Sequence, residues 1–370
     1  MSSIIDEEWA VLAKLLPPGW EEQARTTGAL RRARGVAGPE ELLRLLLLHV
    51  AGGLSLRSAA ARGSELGLAE MTDVALLKRL RNAEVWLRTM GAQMFERARF
   101  FQGESVFPSG RRWRAVDATT IEEPGATGTD WRVHYSVALP GLECDFFELT
   151  DKRGGETFTR FPVQKGDVLL GDRGYAHRRG VAHLLESGAD VVVRLTSTTF
   201  PLTTLKGGDF ALLDWLRKIR GTTASACPVR FTYRAKKTKA KSYDVRLCAL
   251  RKSKVATEQA QTTLLRTAKK KGRKVRPETL EAAEYVFVLT TLSEADFSAS
   301  RILSIYRARW QVELVFKRMK TLLRLGHLPK YSASSSRAWI QGKLLTVLLI
   351  ERLLSDAKFI SPWGYELSPA

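Results

Sequence analysis

The sequence predicts an α/β protein in which a mixed sheet flanked by helices follows an all-helical N-terminal region and is interrupted by a β-rich insertion. Residues 1–105 carry apolar residues at helical spacing, whereas the pattern from Trp113 onward has the period of two that is typical of strands. Three such strands precede a strand–helix–strand unit over residues 167–195. This order favours a mixed sheet with helices on its faces.

The helical region contains a candidate DNA-binding motif. Two short helices are predicted over residues 56–62 and 73–81, with Thr72 as the N-cap of the second. The pair could form a helix-turn-helix, although any small helical bundle contains such pairs. The second helix carries the basic residues Lys78, Arg79 and Arg81.

The strands of the sheet are predicted from short β-rich runs bounded by turn residues. They cover residues 113–118, 131–139, 143–150, 167–171 and 190–195. The run over residues 167–171 is apolar, as for a strand buried on both faces. A helix over residues 178–187 connects the last two strands.

The net charge indicates a polyanionic partner. The 370 residues include 59 Lys and Arg against 39 Asp and Glu, a formal net charge of +20. Nucleic acid is the first candidate and an anionic membrane surface the second. Three scattered cysteines favour neither a disulfide framework nor zinc. Without a visible signal peptide or an apolar run that could span a bilayer, we expect a cytoplasmic, nucleoid-associated protein.

Most of the positive charge lies in one segment. Residues 230–276 contain seventeen Lys and Arg against two acids, so +15 of the +20 is found in 47 residues. A solvated loop is the ordinary explanation for a run of charges. Here the runs are unbalanced and lie among predicted strands, at 229–233, 244–250 and 285–291, which favours contact with phosphates.

A helix is predicted over residues 304–320, which contain no Gly or Pro. Its apolar residues share one stripe, and a second stripe about 70° round the helix is polar. The second stripe consists of Tyr306, Arg309, Glu313 and Lys320. The alternative explanation of this polar stripe is a solvated face with ion pairs at i, i+4. These would join Arg309 to Glu313 and Glu313 to Lys317.

Two aspartates follow apolar strands. Asp117 follows the run Trp113–Val116 near the end of the first predicted strand, and Asp172 comes directly after residues 167–171. Asp is also common in turns, so neither residue alone indicates catalysis. If the fold brings both close to Glu313, the three carboxylates repel one another unless a cation neutralises them. Hard oxygen ligands select Mg²⁺ or Mn²⁺.

The spacing Tyr306-x2-Arg309-x3-Glu313-x6-Lys320 resembles the signature of the DDE transposases of the insertion-sequence-four family. Two upstream blocks also match, around Asp117 and over residues 170–175. The resemblance covers about residues 110–355 and implies a ribonuclease-H-like sheet. Ala118 stands where relatives often have Gly. The chain also stops soon after Gly364, where many relatives continue. A trimmed C-terminus would lack part of a dimer interface.

The family implies a role for each matching residue. Asp117, Asp172 and Glu313 would be the catalytic residues and would bind two Mg²⁺ or Mn²⁺ ions, a number suited to activating a nucleophile and stabilising the leaving oxygen. Tyr306, Arg309 and Lys320 would contact phosphates near the cleavage site. Arg173 and Lys317 are further candidate DNA contacts.

The implied activity is cut-and-paste transposition. The enzyme would cleave double-stranded DNA at terminal inverted repeats through a hairpin and join 3′ ends to target DNA, acting as a homodimer. A non-catalytic DNA-binding remnant or repressor, and a ribonuclease-H-like nuclease without strand transfer, remain alternatives. An aromatic residue would stack on a flipped base, with Trp215, Tyr233 and Tyr243 as rivals. Trp215 is better explained as a core residue, and His134 as a core or neighbouring residue.

We therefore expect four regions. Residues 1–105 are predicted to form a helical DNA-binding domain, and residues 106–195 with 296–355 the catalytic domain. Residues 196–295 form the basic insertion, and residues 356–370 a C-terminal tail.

Overall fold

The computed structural model describes most of the chain, with gaps at several loops. The described residues are 4–95, 107–108, 110–123, 130–139, 144–196, 200–221, 223–236, 238–307, 309, 313, 328 and 332–357. None of the described helices has the length and apolar character needed to cross a membrane.

The N-terminal part of the structure is helical. Its helices are α1 (Ile4–Leu15), α2 (Trp20–Thr26), α3 (Pro39–Val50), α4 (Leu56–Glu65), α5 (Asp73–Asn82) and α6 (Glu84–Phe95). The predicted cap of α5 is present, because the Thr72 side chain accepts a hydrogen bond from the Ala75 N–H. Trp20 stacks on the buried Trp86, whose indole N–H donates to the Trp20 carbonyl, and this pair joins α2 to α6.

Eight strands form one mixed sheet. They are β1 (Arg112–Ile121), β2 (Trp131–Leu139), β3 (Cys144–Asp151), β4 (Asp167–Gly171), β5 (Asp190–Arg194), β6 (Ser225–Tyr233), β7 (Lys241–Arg251) and β8 (Tyr285–Thr290). Their order is β3-β2-β1-β4-β5-β8-β7-β6. β1, β4 and β5 are parallel and the other pairs are antiparallel. The carboxyl ends of β1, β4, β5 and β7 consequently lie at the same edge.

The two faces of the sheet are buried against different helices. Alternate residues point to opposite faces of a strand, so Leu170 of β4 and Val192 of β5 lie in one core, and Leu169 and Val191 in the other. The first core also contains residues of α1–α6, of α11 (Ala299–Arg307) and of α12 (Ala333–Ala357). The second contains residues of α7 (Arg178–Glu186) and α8 (Leu212–Arg217).

The segment 196–295 differs from its description as β-rich. Besides β6, β7 and β8, which continue the main sheet, it contains α8, α9 (Lys254–Lys270) and α10 (Pro277–Ala282). The sequence pattern missed α9 because this helix buries none of its residues and so shows no apolar stripe. It is stabilised at its ends instead, since Ser253 caps the first turn and Lys269 and Lys270 lie at the negative end of the helix dipole.

Candidate active site

Asp117 and Asp172 lie side by side at one edge of the sheet. Ala115 of β1 pairs with Leu170 of the parallel strand β4. Asp117 lies two residues after Ala115 in β1, and Asp172 lies two residues after Leu170, directly after the end of β4, so the register of the two strands brings them together. β1 continues to Ile121 and is paired with β2 up to that residue, so Asp117 lies within the strand, four residues before its end.

Asp172 begins a short turn at the end of β4. Its carboxylate accepts a hydrogen bond of 2.8 Å from the Gly174 N–H, which caps a single 3₁₀ turn over Arg173–Tyr175. The turn carries the chain past the end of β4, with Tyr175 buried in the second core. It also directs the chain into α7, which covers the second core.

Arg309 links Glu313 to Asp117. Its guanidinium lies 3.6 Å from an Asp117 carboxylate oxygen and donates a hydrogen bond to Glu313. Only 12% of the Arg309 side chain and 16% of the Asp117 side chain are exposed, against 37% for Glu313. The arginine thus occupies the space between two of the three predicted carboxylates.

Burial, together with the neighbouring carboxylates, changes the titration of Asp117. Burial raises the pKa of Asp117 to about 7. The charges on Asp172 and Glu313 add to this rise, whereas the Ala118 N–H and Arg309 oppose it. Mutual repulsion of three acidic groups was predicted from the sequence, and it is what a divalent cation would relieve.

The donor set suits a hard cation. Among the described residues, no three His, Cys, Asp or Glu side chains are close enough together to hold an ion as they stand. Arg309 already forms ion pairs with Asp117 and Glu313, so an ion would have to displace its guanidinium. The oxygens of Asp117, Asp172 and Glu313 match the preference of Mg²⁺ and Mn²⁺.

Basic side chains surround the carboxylates. Arg194, the last residue of β5, lies close to Arg173, Tyr306, Arg309 and Asp172, and its burial together with the charge of Arg173 lowers its pKa. Lys252 follows β7 at the same edge, where burial and the charges of Arg194 and Arg173 lower its pKa to about 8. This arrangement of positive groups beside acidic ones suits a phosphodiester held next to a cation site.

The predicted helix over residues 304–320 is wrong in part. α11 begins earlier, at Ala299, and ends at Arg307. Arg309 lies in a turn, with its backbone N–H bonded to the Tyr306 carbonyl. Glu313, which the predicted helix also includes, is helical. Lys317 and Lys320 lie outside the described residues.

The remaining sequence candidates have structural partners. Trp215 packs on Phe210 beside the second core, and Tyr243 stacks on Phe231 and donates to Glu186. His134 is fully buried in β2. In α5, Arg79 donates to the carbonyls of residues 32 and 34 and Arg81 to Ser335. Which aromatic residue stacks on a base stays a prediction.

Sequence reasoning missed four residues at this edge: Glu156, Tyr175, Arg194 and Lys252. Arg194 ends an apolar strand just as Asp172 follows one, and this shared position could have identified it. Lys252 could not be placed without knowing that β7 runs parallel to β5 two strands away. Glu156 lies in a polar loop after β3 and carries no pattern in the sequence.

Comparison with known families decides the class of this chain. Residues 150–349, more than half of its length, match the model of the transposase DDE domain. The chain belongs to the DDE transposase family. The resemblance that the sequence motifs indicated is thereby confirmed.

The relatives cover nearly the whole transposase. The InsL protein of insertion sequence element IS186A from Escherichia coli K12 is 34% identical over 96% of both chains. The transposase of insertion sequence element IS421 from Escherichia coli is likewise 34% identical over 96% of both chains. Among solved structures, the piggyBac transposase synaptic complex with hairpin DNA aligns with all of this chain and 69% of its own, at a TM-score of 0.42 and 11% identity.

Proposed function

We propose that this transposase cleaves DNA at the ends of an insertion sequence and joins the 3′ ends to target DNA, using divalent cations held by Asp117, Asp172 and Glu313. The observation that carries the proposal is the meeting of Asp117 and Asp172 on adjacent parallel strands, with Glu313 tied to Asp117 through Arg309. Family membership supplies the reaction class.

We further propose that the sheet is ribonuclease-H-like. The first five strands are ordered β3-β2-β1-β4-β5, with β2 antiparallel and β4 and β5 parallel to β1. Because β1 and β4 are adjacent in this order, residues 55 positions apart in sequence become neighbours at one end of the sheet. The N-terminal helices would then form the DNA-binding region.

In this proposal each residue of the site has a defined task. Asp117, Asp172 and Glu313 hold Mg²⁺ or Mn²⁺. Bound there, the ions would supply activation of an attacking oxygen and stabilisation of the leaving one. Tyr306, Arg309 and Lys320, with Arg173 and Lys317, hold the phosphates of the scissile strand. Arg309 has to exchange its two carboxylates for a phosphate when DNA binds.

The finer features of the reaction belong to the same proposal. Cut-and-paste movement through a hairpin intermediate, and a homodimer on two inverted repeats, follow from the family resemblance. A DNA-binding remnant or repressor would use the same basic surface without the carboxylates. A nuclease would cleave but not join. Supplying pre-cleaved ends together with a plasmid target separates the transposase from the nuclease.

Substitution of Glu313 by Gln tests the central claim. The variant keeps the shape of the side chain and removes its charge, so we expect unchanged thermal stability and DNA binding but no Mg²⁺-dependent cleavage of a cognate end. Glu65→Gln, on the surface of α4 and paired with Arg62, is the control for charge removal. Cleavage by Glu313→Gln at the rate of the unmodified protein would refute the assignment.

The basic segment after α9 provides a second test. Lys271, Arg273 and Lys274 are exposed and border a cleft between α9 and α10. If they contact phosphates, their joint replacement by Gln lowers the slope of log affinity against log salt by about 1 per lost contact. The measurement is DNA affinity at several salt concentrations. An unchanged slope would mean that this segment lies away from the DNA.

A further inference from the structure

A fourth carboxylate lies against Asp172. Glu156, in the loop after β3, is half-buried, and a Cβ placed on Gly174 would lie 1.8 Å from its Oε2 atom and 3.0 Å from Oδ1 of Asp172. The two carboxylate oxygens are therefore no further apart than the sum of these distances. Only a residue without a side chain at position 174 allows Glu156 to approach so closely.

Glu156 has no compensating partner. In the described part of the chain its carboxylate makes no hydrogen bond and no ion pair, although Arg132 and His177 are near enough to influence it. Arg132 donates instead to the Gly154 carbonyl. A partly buried, unpaired charge beside a like charge is costly to a fold, so its retention here calls for a positive ligand.

A buried phenol points to the same place. Tyr175 is fully buried and, among the described residues, its hydroxyl has no hydrogen-bond partner. Tyr175 lies in the turn that Asp172 caps, and its ring packs on Phe158 at the end of β4. Burial and the charges of Asp117, Glu156 and Asp172 raise its pKa well above the usual value. A hydrogen-bond donor beside a metal-binding carboxylate commonly fixes the orientation of that ligand.

We propose that Glu156 is a fourth carboxylate ligand of the divalent cation, on the Asp172 side of the site, and that Tyr175 donates a hydrogen bond to this carboxylate. The inference rests on the proposed function, since it assumes that Asp172 binds the cation. Asp117 and Glu313 are already paired with Arg309, so the Glu156–Asp172 side is where a cation meets the least competition.

The test is Mn²⁺ binding by the full-length protein without DNA, followed by electron paramagnetic resonance of free MnCl₂ and by the rise in melting temperature. Glu156→Gln is expected to weaken Mn²⁺ binding about tenfold or more. The same variant should melt at the same or a higher temperature without metal, because an unpaired charge has been removed. Glu148→Gln, which removes a charge from the neighbouring strand β3, is the matched control.

Two further variants separate ligand binding from folding. Gly174→Ala keeps the charge of Glu156 but displaces its carboxylate, and it should weaken Mn²⁺ binding as Glu156→Gln does. Tyr175→Phe removes a hydroxyl that has no partner among the described residues, so we expect unchanged stability and binding weakened a few-fold. If Tyr175→Phe alone leaves Mn²⁺ binding unaltered, only the proposed hydrogen bond from Tyr175 is overturned.

Comparison with Asp172→Asn distinguishes this inference from the function on which it rests. If Asp172→Asn loses Mn²⁺ binding while Glu156→Gln and Gly174→Ala retain it, Glu156 is no ligand and the proposed function stands. Two results would overturn both proposals, because the carboxylates would then not form a cation site. One is that the unmodified protein takes up no Mn²⁺ at millimolar concentrations. The other is that the Asp172→Asn variant binds Mn²⁺ as tightly as the unmodified protein.

Discussion

His134 lies within the sheet, on β2 between β3 and β1. It is fully buried, and its Nε2 atom is 3.0 Å from the Thr150 hydroxyl oxygen. Burial lowers the pKa of His134 to about 3, helped by the charges of Arg160 and Arg132. The imidazole is therefore neutral in the folded protein at every pH near neutrality. This arrangement suits a core residue and gives it no proton to exchange during catalysis.

The pKa of His134 predicts acid sensitivity. An unfolded histidine takes up a proton below pH 6.5, and the folded one does so only near pH 3, so the free energy of unfolding falls as the pH drops through that interval. Between pH 7 and pH 4.5 this residue should lower the free energy of unfolding by about 2–3 kcal/mol. Urea denaturation should show a smaller drop for His134→Gln. Equal drops in both proteins would contradict the pKa.

The sequence pattern could identify candidate side chains of the site by their position after a strand, but it could not identify the residues with which they form ion pairs. Asp117 and Asp172 could be found because each follows an apolar run. The link from Arg309 to Asp117 could not, since the i, i+4 spacing revealed only its pair with Glu313. Glu156 could not be found either, because its approach to Asp172 depends on the path of a loop.

The end of β4 is the element that positions Asp172. Gly171 is its last residue, and a Cβ there would lie 2.7 Å from the Phe158 ring and 2.9 Å from the Tyr175 Cβ. Phe158 and Tyr175 are fully buried and in ring contact. Glycine at this position lets the aromatic pair cover the strand end, and the turn that carries Asp172 and Arg173 is packed against that pair.

Gly171→Ala should consequently destabilise the protein. Overpacking of a filled core costs about 1–3 kcal/mol, and we expect a loss in that range. Gly155→Ala is the control, because a Cβ at Gly155 meets no atom within 4 Å. Chemical denaturation of both variants provides the measurement. A Gly171→Ala protein as stable as the control would show that the aromatic pair can move aside.

Elements with a buried face were the predictable ones. The bounds of β2 and β4 agree with the predictions because both strands are flanked by turn residues and are apolar throughout most of their length. α9 was missed for the opposite reason, as none of its residues is buried. Propensity and capping describe such a helix better than periodicity does.

The whole molecule shares one large core between its N-terminal helices and the sheet. α12 joins them: Gly342 of this helix approaches Val50 of α3, and Gly91 of α6 approaches Leu348 of α12 and Phe147 of β3. Glu351 of α12 accepts a hydrogen bond from the Tyr135 hydroxyl of β2. Packing at glycines brings the backbones close together. The domain boundary near residue 105 therefore stays a prediction from the sequence, since the hydrophobic core contains residues from both sides of it.

A truncation tests that boundary. Removal of residues 1–105 would uncover the faces of α12 and β3 that now contact Val50 and Gly91, so we expect residues 106–370 to bind a hydrophobic dye and to lose a cooperative thermal transition. Calorimetry and dye fluorescence provide the measurements. A cooperative transition in the truncated protein would show an independent domain, as the sequence predicted.

Under the proposed function, the guanidinium that is ion-paired with Asp117 and Glu313 would compete with any cation for these two carboxylates. Because Arg309 is tethered to the chain, its local concentration stays high however dilute the protein is. A phosphate of the DNA would attract the arginine and so free both acids at once. The substrate itself would then prepare the cation site, which couples metal binding to DNA binding.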